Sequence, residues 1–254
     1  MQGAQVVLTV AEGKRLIARG LLAWEPFRRA RESGIVAVAK GSTNAYVVEE
    51  LLGRPIDKTR YVTGHTRPAK APPGAKFPAD LPDLVLRRGR PVEGKSAVDI
   101  LQEMGPEDIF LKGANAIQYA LGQAAVLVGH PTGGTMGAAL GTIVSRRVRL
   151  VIPVGLEKNV PVDLAEAAAA VRASGSSPAL WVLPGELFTE IEAIRALSGA
   201  EAVPISAGGI DGAEGSIRLL VTGDERAVGR AVEAVSAVQG ESPFPGHSRI
   251  CLSG

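Results

Sequence analysis

The 254-residue chain is 46% hydrophobic and 21% charged with a net charge of +2, a globular balance that leaves no room for long disorder. Aromatics make up only 4%, and the basic groups Arg28-Arg29-Arg31, Arg87-Arg88-Arg90 and Arg146-Arg147-Arg149 are short and not interleaved with aromatics, so they read as solvated surface charge and no nucleic-acid partner is expected. Apolar runs break before the ~20 residues of a membrane helix, no secretory pattern is visible at the start, and the single cysteine, Cys251, forms no internal disulfide; a cytoplasmic protein without membrane contact is expected.

Residues 10–33 carry Leu16, Ile17, Leu21, Leu22, Trp24 and Phe27 among charged positions, which predicts one amphipathic helix stopped at Gly34. The run IVAVA follows as a continuous apolar strand, the pattern of a sheet covered on both faces. TNAYVVEELL at 43–52 reads as the helix leaving its end, with Ser42 or Thr43 able to cap it. The proline-rich stretch 53–83, which contains His65, predicts a long irregular excursion of the kind that often forms a functional lid. LVLRRGRPVEG reads as a hairpin around Arg88-Gly89, SAVDILQEM as a helix, and DIFLKG as a strand. AVLVG, the glycine-rich HPTGGTMGAALG opening a helix through Ile143, and the strand VRLVIPVG follow.

Past residue 160 an alanine-rich helix leads into ALWVL, PGELFTEIEAIRALSG, AEAVPISA, GSIRLLVTG, DERAVGRAVEAVSAV and RICL, whose β-α-β-β-α-β order is that of a ferredoxin-like module. The expected architecture is α/β: a Rossmann-like parallel-sheet domain over 1–165 and a smaller ferredoxin-like α+β domain over 166–254. The second is expected to serve homo-oligomer contacts or signal relay.

Four apolar runs end at glycine: Gly41, Gly113, Gly129 and Gly155. Ligands of open parallel sheets collect at the carboxyl ends of strands, so these turns mark the expected working edge. VAVAKGSTN and IFLKGANA share strand, Lys, Gly and a small polar residue, which predicts Lys40 and Lys112 at equivalent strand ends facing one anion. Glycine turns opening helices aim backbone amides at negative charge. The candidate ligand set is Lys40, Gly41, Ser42, Thr43 and Asn44, then Lys112, Gly113 and Asn115, then Gly133, Gly134 and Thr135.

These motifs, with IPVGLEKNV, resemble the successive signatures of the superfamily that contains ribose-5-phosphate isomerase, glucosamine-6-phosphate deaminase, coenzyme A transferases and sugar-phosphate sensor domains of bacterial repressors. The resemblance covers residues 10–165. It implies a Rossmann-like fold, a phosphate grip by Gly41 to Asn44, and a strand-end lysine at Lys158. The chain departs from the isomerase pattern, because Lys112-Gly113-Ala114-Asn115 stands where those enzymes carry an Asp-Gly-Ala-Asp signature, and no acid lies in the GGT turn. His130 and Glu157 are the remaining candidates for moving a proton.

Residues 89–96, GRPVEGKS, match the phosphate-loop pattern literally, although Pro91 removes an amide from the cradle; nucleotide binding at Gly89 to Ser96 is the alternative. His65, His130 and His247 are not spaced as ligands with other His, Cys or acidic residues, so neither a metal nor a cofactor is expected. The expected partner is an anionic small metabolite, a sugar phosphate or a related compound. It is bound by a sensor or by an enzyme, with an isomerase-type reaction as one form of the latter.

Overall fold

A computed structural model describes residues 2–66, 69–70 and 77–244. Strand β1 (Gln2–Leu8) leads to helix α1 (Val10–Ala23) through a capping box in which Thr9 Oγ1 accepts from the Glu12 amide and the Glu12 carboxylate accepts from the Thr9 amide. The single helix expected over 10–33 is two, because α1 stops at an extended Trp24 and α2 (Glu25–Ser33) begins with Pro26 in its first turn. Proline has no amide for a continuing helix, and its ring collides with the carbonyl four residues back.

Strand β2 (Ile35–Val38) is buried at all four positions and runs into α3 (Ser42–Leu52). The 53–83 excursion holds a short 3-10 turn, Lys58–Tyr61, and returns as the predicted hairpin, β3 (Leu84–Arg87) with β4 (Arg90–Pro91). Its two-residue turn has φ of 48° at Arg88 and 73° at Gly89, as a tight hairpin with right-handed strand twist requires. SAVDILQEM forms only a 3-10 turn, Asp99–Glu103.

Then come β5 (Ile109–Leu111), β6 (Ala116–Gln118), β7 (Gln123–Val128), α4 (Gly134–Ser145) and β8 (Arg149–Pro153). The chain ends its described course with α5 (Leu164–Ser174), β9 (Ala179–Leu183), β10 (Glu186–Phe188), α6 (Glu190–Ser198), β11 (Glu201–Ala207), β12 (Ile217–Gly223) and α7 (Glu225–Ser236).

The protein is a mixed α/β structure. A six-stranded sheet runs β10-β8-β5-β2-β3-β4, its first four strands parallel and the hairpin antiparallel; two three-stranded antiparallel sheets run β1-β12-β11 and β6-β7-β9. Three of the four glycine-ended runs, β2, β5 and β8, therefore lie side by side in parallel. The fourth does not: AVLVG is β7, which pairs with β6 and β9 in a separate sheet.

The ferredoxin-like grouping also needs correction. ALWVL is β9 and joins β7, β10 joins β8, and β12 pairs along its whole length with the first strand, β1. Pairing follows buried faces rather than chain order: Ile217, Leu219 and Val221 of β12 alternate inward, as Val6 and Leu8 of β1 do. RICL lies outside the described residues. Among the described residues no helix is long and apolar enough to cross a membrane.

Helix α1 packs on both α3 and α6, and its glycines set how closely. A Cβ on Gly20 would strike the backbone of Ala193, and one on Gly13 would lie 2.5 Å from Glu190 Oε1. Seven residues apart, Gly13 and Gly20 share one helix face, and that face brings the start of α6 against the start of α1. This contact positions the site.

A lysine-lined candidate site at the carboxyl edge

The edge is built from the ends of β2, β5 and β8 and from the first turns of α1 and α6. Val38 is in register with Leu111, and Leu111 with Val151, so the residues that follow emerge at one level. Asn44 ties two of these ends together, donating through Nδ2 to Ala39 O at 2.7 Å and Leu111 O at 3.4 Å. Its Oδ1 is buried with no partner among the described residues.

The two lysines expected to converge take different directions. Lys40 Nζ donates to Ala79 O at 2.5 Å, beside Asp80 in the returning excursion, whereas Lys112 Nζ donates to Gly113 O at 3.2 Å. Gly41 is the N-cap of α3 and, having no side chain, leaves that helix without the Ser42 or Thr43 cap the sequence suggested. The amides of Ser42, Thr43 and Asn44 meet no acceptor among the described residues, and Thr43 is buried.

Lys112 is joined by Lys158. Lys158 follows β8 on a 3-10 turn, Leu156–Lys158, and its Nζ donates to Ala114 O at 2.7 Å. Two ammonium groups from neighbouring strands thus stand on consecutive peptide carbonyls, Gly113 and Ala114. Glu157, on the same turn, folds its carboxylate over Gly155.

Two further charged groups enter from the helices. Lys14 of α1 is only 7% exposed and Glu190 of α6 only 2%. Glu190 Oε2 accepts from the Leu156 amide at 2.9 Å. Lys14 Nζ lies 5.7 Å from the Phe244 ring and donates no hydrogen bond to another described residue. Among the described residues no ion pair joins any of Lys14, Lys112, Lys158, Glu157 and Glu190.

Burial marks the energetics of all three lysines. Desolvation pushes Lys112 down to about 8, and the positive charge of Lys158 pushes the same way. Lys158 is lowered by burial against the opposing pull of Glu157. In Lys14, burial outweighs the help of Glu157 and Glu190, and Lys158 adds to the lowering. Glu190 moves the other way: burial, then the charge of Glu157, raise its carboxyl well above the usual carboxylate range. Unpaired charges sharing a desolvated site are costly, and groups perturbed in this way cluster at functional sites.

The remaining candidates lie elsewhere. Asn115 Oδ1 accepts from the Leu127 amide at 3.0 Å and its own amide donates to Ala125 O, so it pins β7. His130 is exposed on the turn after β7, where its Nδ1 accepts from the Thr132 amide at 3.2 Å. Gly133 and Gly134 adopt positive φ of 80° and 57° to open α4, and a Cβ on Gly133 would meet Trp181 and Gly137. No hydrogen bond links His130 or Gly133 to Thr135 with the lysine cluster, since β7 belongs to the other sheet. Gly89 lies in the hairpin turn, Arg90 and Pro91 form its second strand, Lys95 lies 3.9 Å from Glu103, and Ser96 Oγ donates to Asp99. A phosphate loop instead opens an α-helix directly from a buried strand.

Sequence reasoning missed Lys14 and Glu190. Lys14 did leave a trace, since it shares the buried stripe of α1 with Ile17, Ala18 and Leu21, where a lysine is out of place. Glu190 left none, because acidic residues are ordinary in a first helical turn.

The fold and the site together define a mixed α/β protein with an unpaired, lysine-rich centre at the carboxyl edge of its parallel strands. No protein-family model, curated protein or solved structure matches the chain.

Proposed function

We propose that the chain binds an anionic small metabolite, of the sugar-phosphate type, at the carboxyl edge of its four parallel strands. The observation that carries this reading is the meeting of Lys14, Lys112 and Lys158 in one partly enclosed place with no ion pair among the described residues. An anion seated among them supplies the missing counter-charge and offsets their desolvation. The uncapped start of α3 offers further amide donors next to the same edge. The Rossmann-like superfamily that the strand-end motifs resemble points to the same class of ligand.

An enzymatic form of this reading is favoured over a pure sensor by Glu190, a buried carboxyl that keeps a proton further into neutral pH than an ordinary glutamate. Groups so tuned suit proton transfer. The test is a thermal-shift panel of sugar phosphates, inorganic phosphate and Mg-ATP on the native chain and on Lys14→Met, Lys158→Met and Lys95→Ala. Ligand at 100 times its Kd adds about 2.7 kcal/mol of stability. Stabilisation by a sugar phosphate that disappears in Lys158→Met supports the reading; stabilisation by Mg-ATP alone, lost only in Lys95→Ala, moves the site to the hairpin.

A further inference from the structure

We propose that Lys112 is a nucleophilic amine that forms an imine with a carbonyl group of the bound anion, which makes the ligand an aldehyde or ketone carrying a phosphate or carboxylate. This rests on the anion-binding reading and narrows it. The geometry has three parts. Among the described residues Lys112 Nζ has one hydrogen-bond partner, the carbonyl of the next residue at 3.2 Å, and no carboxylate pairs with it. Lys158 is fixed on the adjacent carbonyl, Ala114 O, so a second positive charge stands beside it. Finally, no described atom beyond its chain neighbours lies within 4 Å of where a Cβ on Gly113 would project, so the residue whose carbonyl receives the amine has open space on that side.

A lysine that is desolvated and set beside another cation is activated as a nucleophile, because both effects favour the neutral amine. The charged groups around it are Lys158 directly, with Lys14 and Glu157 facing Lys158 and Glu190 behind them; Lys40 is turned to Ala79.

The step balances without a co-reactant. The Lys112 nitrogen lone pair bonds to the carbonyl carbon while the C=O π pair moves to oxygen. The oxygen takes up a proton and the nitrogen loses one, giving a carbinolamine. A second protonation of that oxygen lets it leave as water while the nitrogen lone pair closes the C=N bond, and the resulting iminium gives its nitrogen proton back to become the imine, so that one water is released and no net proton is consumed. Nothing is oxidised or reduced. Lys14 and Lys158 hold the anionic end of the molecule meanwhile.

The full chain is incubated separately with glyoxylate, pyruvate and D-ribose 5-phosphate plus cyanoborohydride from about pH 6 to 10, and labelled lysines are mapped by peptide mass. Lys112 is expected to react with at least one probe about tenfold faster than solvent-exposed Lys95, as its larger neutral fraction requires. The label is lost in Lys112→Arg. In Lys158→Gln, loss of the neighbouring charge raises the Lys112 pKa, so the midpoint of the labelling profile moves above about 8; a residue that only packs the site would leave that midpoint unmoved.

Failure of Lys112 to outpace Lys95 with all three probes overturns the imine. So does an unshifted profile in Lys158→Gln. Inorganic phosphate, followed by thermal shift, reads the anion site separately: phosphate stabilisation without labelling removes the imine and leaves the anion site, whereas labelling without phosphate stabilisation does the reverse.

Discussion

Lys14 and Arg15 are neighbours in α1, yet each belongs to a charged cluster of a different kind. One step along a helix turns the side chain by about 100°, enough to send Arg15 away from the carboxyl edge. There its guanidinium bonds Glu49 at 2.5 Å, Glu50 at 3.0 Å and Glu241 at 2.8 Å, while Lys58 takes the second Glu49 oxygen at 3.0 Å. Glu49 also accepts from the Ile56 amide at 3.0 Å. Its burial opposes ionisation, but the Ile56 amide, Arg15 and Lys58 outweigh it, and the carboxyl is held below its ordinary value. In the Arg15 cluster every charge has a protein partner; in the Lys14 cluster no ion pair forms among the described residues. The first is a clamp joining α1, α3 and the segment after α7, and the second is the cluster on which the proposed anion site rests.

The contrast is sharpest under mutation. Glu49→Ala leaves Arg15 and Lys58 short of a buried partner and is expected to cost about 3–5 kcal/mol in urea unfolding. Because the Glu49 carboxyl is lowered, its stabilisation is complete above its unfolded value of 4.5 and declines as pH falls through the folded value. A native chain no more acid-sensitive than Glu49→Ala would contradict the clamp.

The lysine cluster should respond in a different pH window and for a different reason, relief of a buried charge rather than loss of a paired one. Lys112 titrates at about 8 folded and 10.5 unfolded, so its burial penalty is complete below pH 8 and is relieved between those values. Stability of the native chain relative to Lys112→Met should therefore rise across this window, by on the order of 2 kcal/mol. Denaturation at pH 7.5 and 10.5 measures it; a flat difference would place Lys112 in water.

Gly13→Ala tests the seam between the two helices. The new Cβ meets Glu190 Oε1 and should cost about 1–3 kcal/mol by overpacking, while displacing the carboxyl that stands against Lys14. The smallest effect is expected for Lys14→Met: about 1 kcal/mol of stabilisation or none, since an apolar chain replaces a buried ammonium without an ion pair, together with loss of any anion-induced thermal shift. A loss of several kcal/mol instead would make Lys14 a structural group like Arg15, and the comparison would collapse.

Much of this was legible in the chain, but unevenly. The apolar runs ending at Gly41, Gly113 and Gly155 gave three parallel strands, since a strand buried on both faces must be continuously apolar. Arg88-Gly89 gave the hairpin because two left-handed residues have few other uses. AVLVG has the same texture as those three strands, and nothing local says that it pairs with β6 and β9. The KGSTN and KGAN motifs do lie at the ends of adjacent parallel strands, yet the direction of each ammonium depended on which carbonyl came within reach: Ala79 for Lys40, Gly113 for Lys112.

What the sequence determined by itself is what short-range chemistry controls: amphipathic spacing, the Pro26 break, the Thr9 and Thr189 capping boxes, and the glycine turns at the strand ends. The tertiary structure alone decided sheet partners, including the pairing of β1 with β12, and the approach of α6 to the glycine face of α1. That approach brings Glu190, 176 positions along the chain from Lys14, to the edge where Lys112 and Lys158 wait. Burial and unpaired charge arise only when distant segments exclude water together, so no window of sequence contains them.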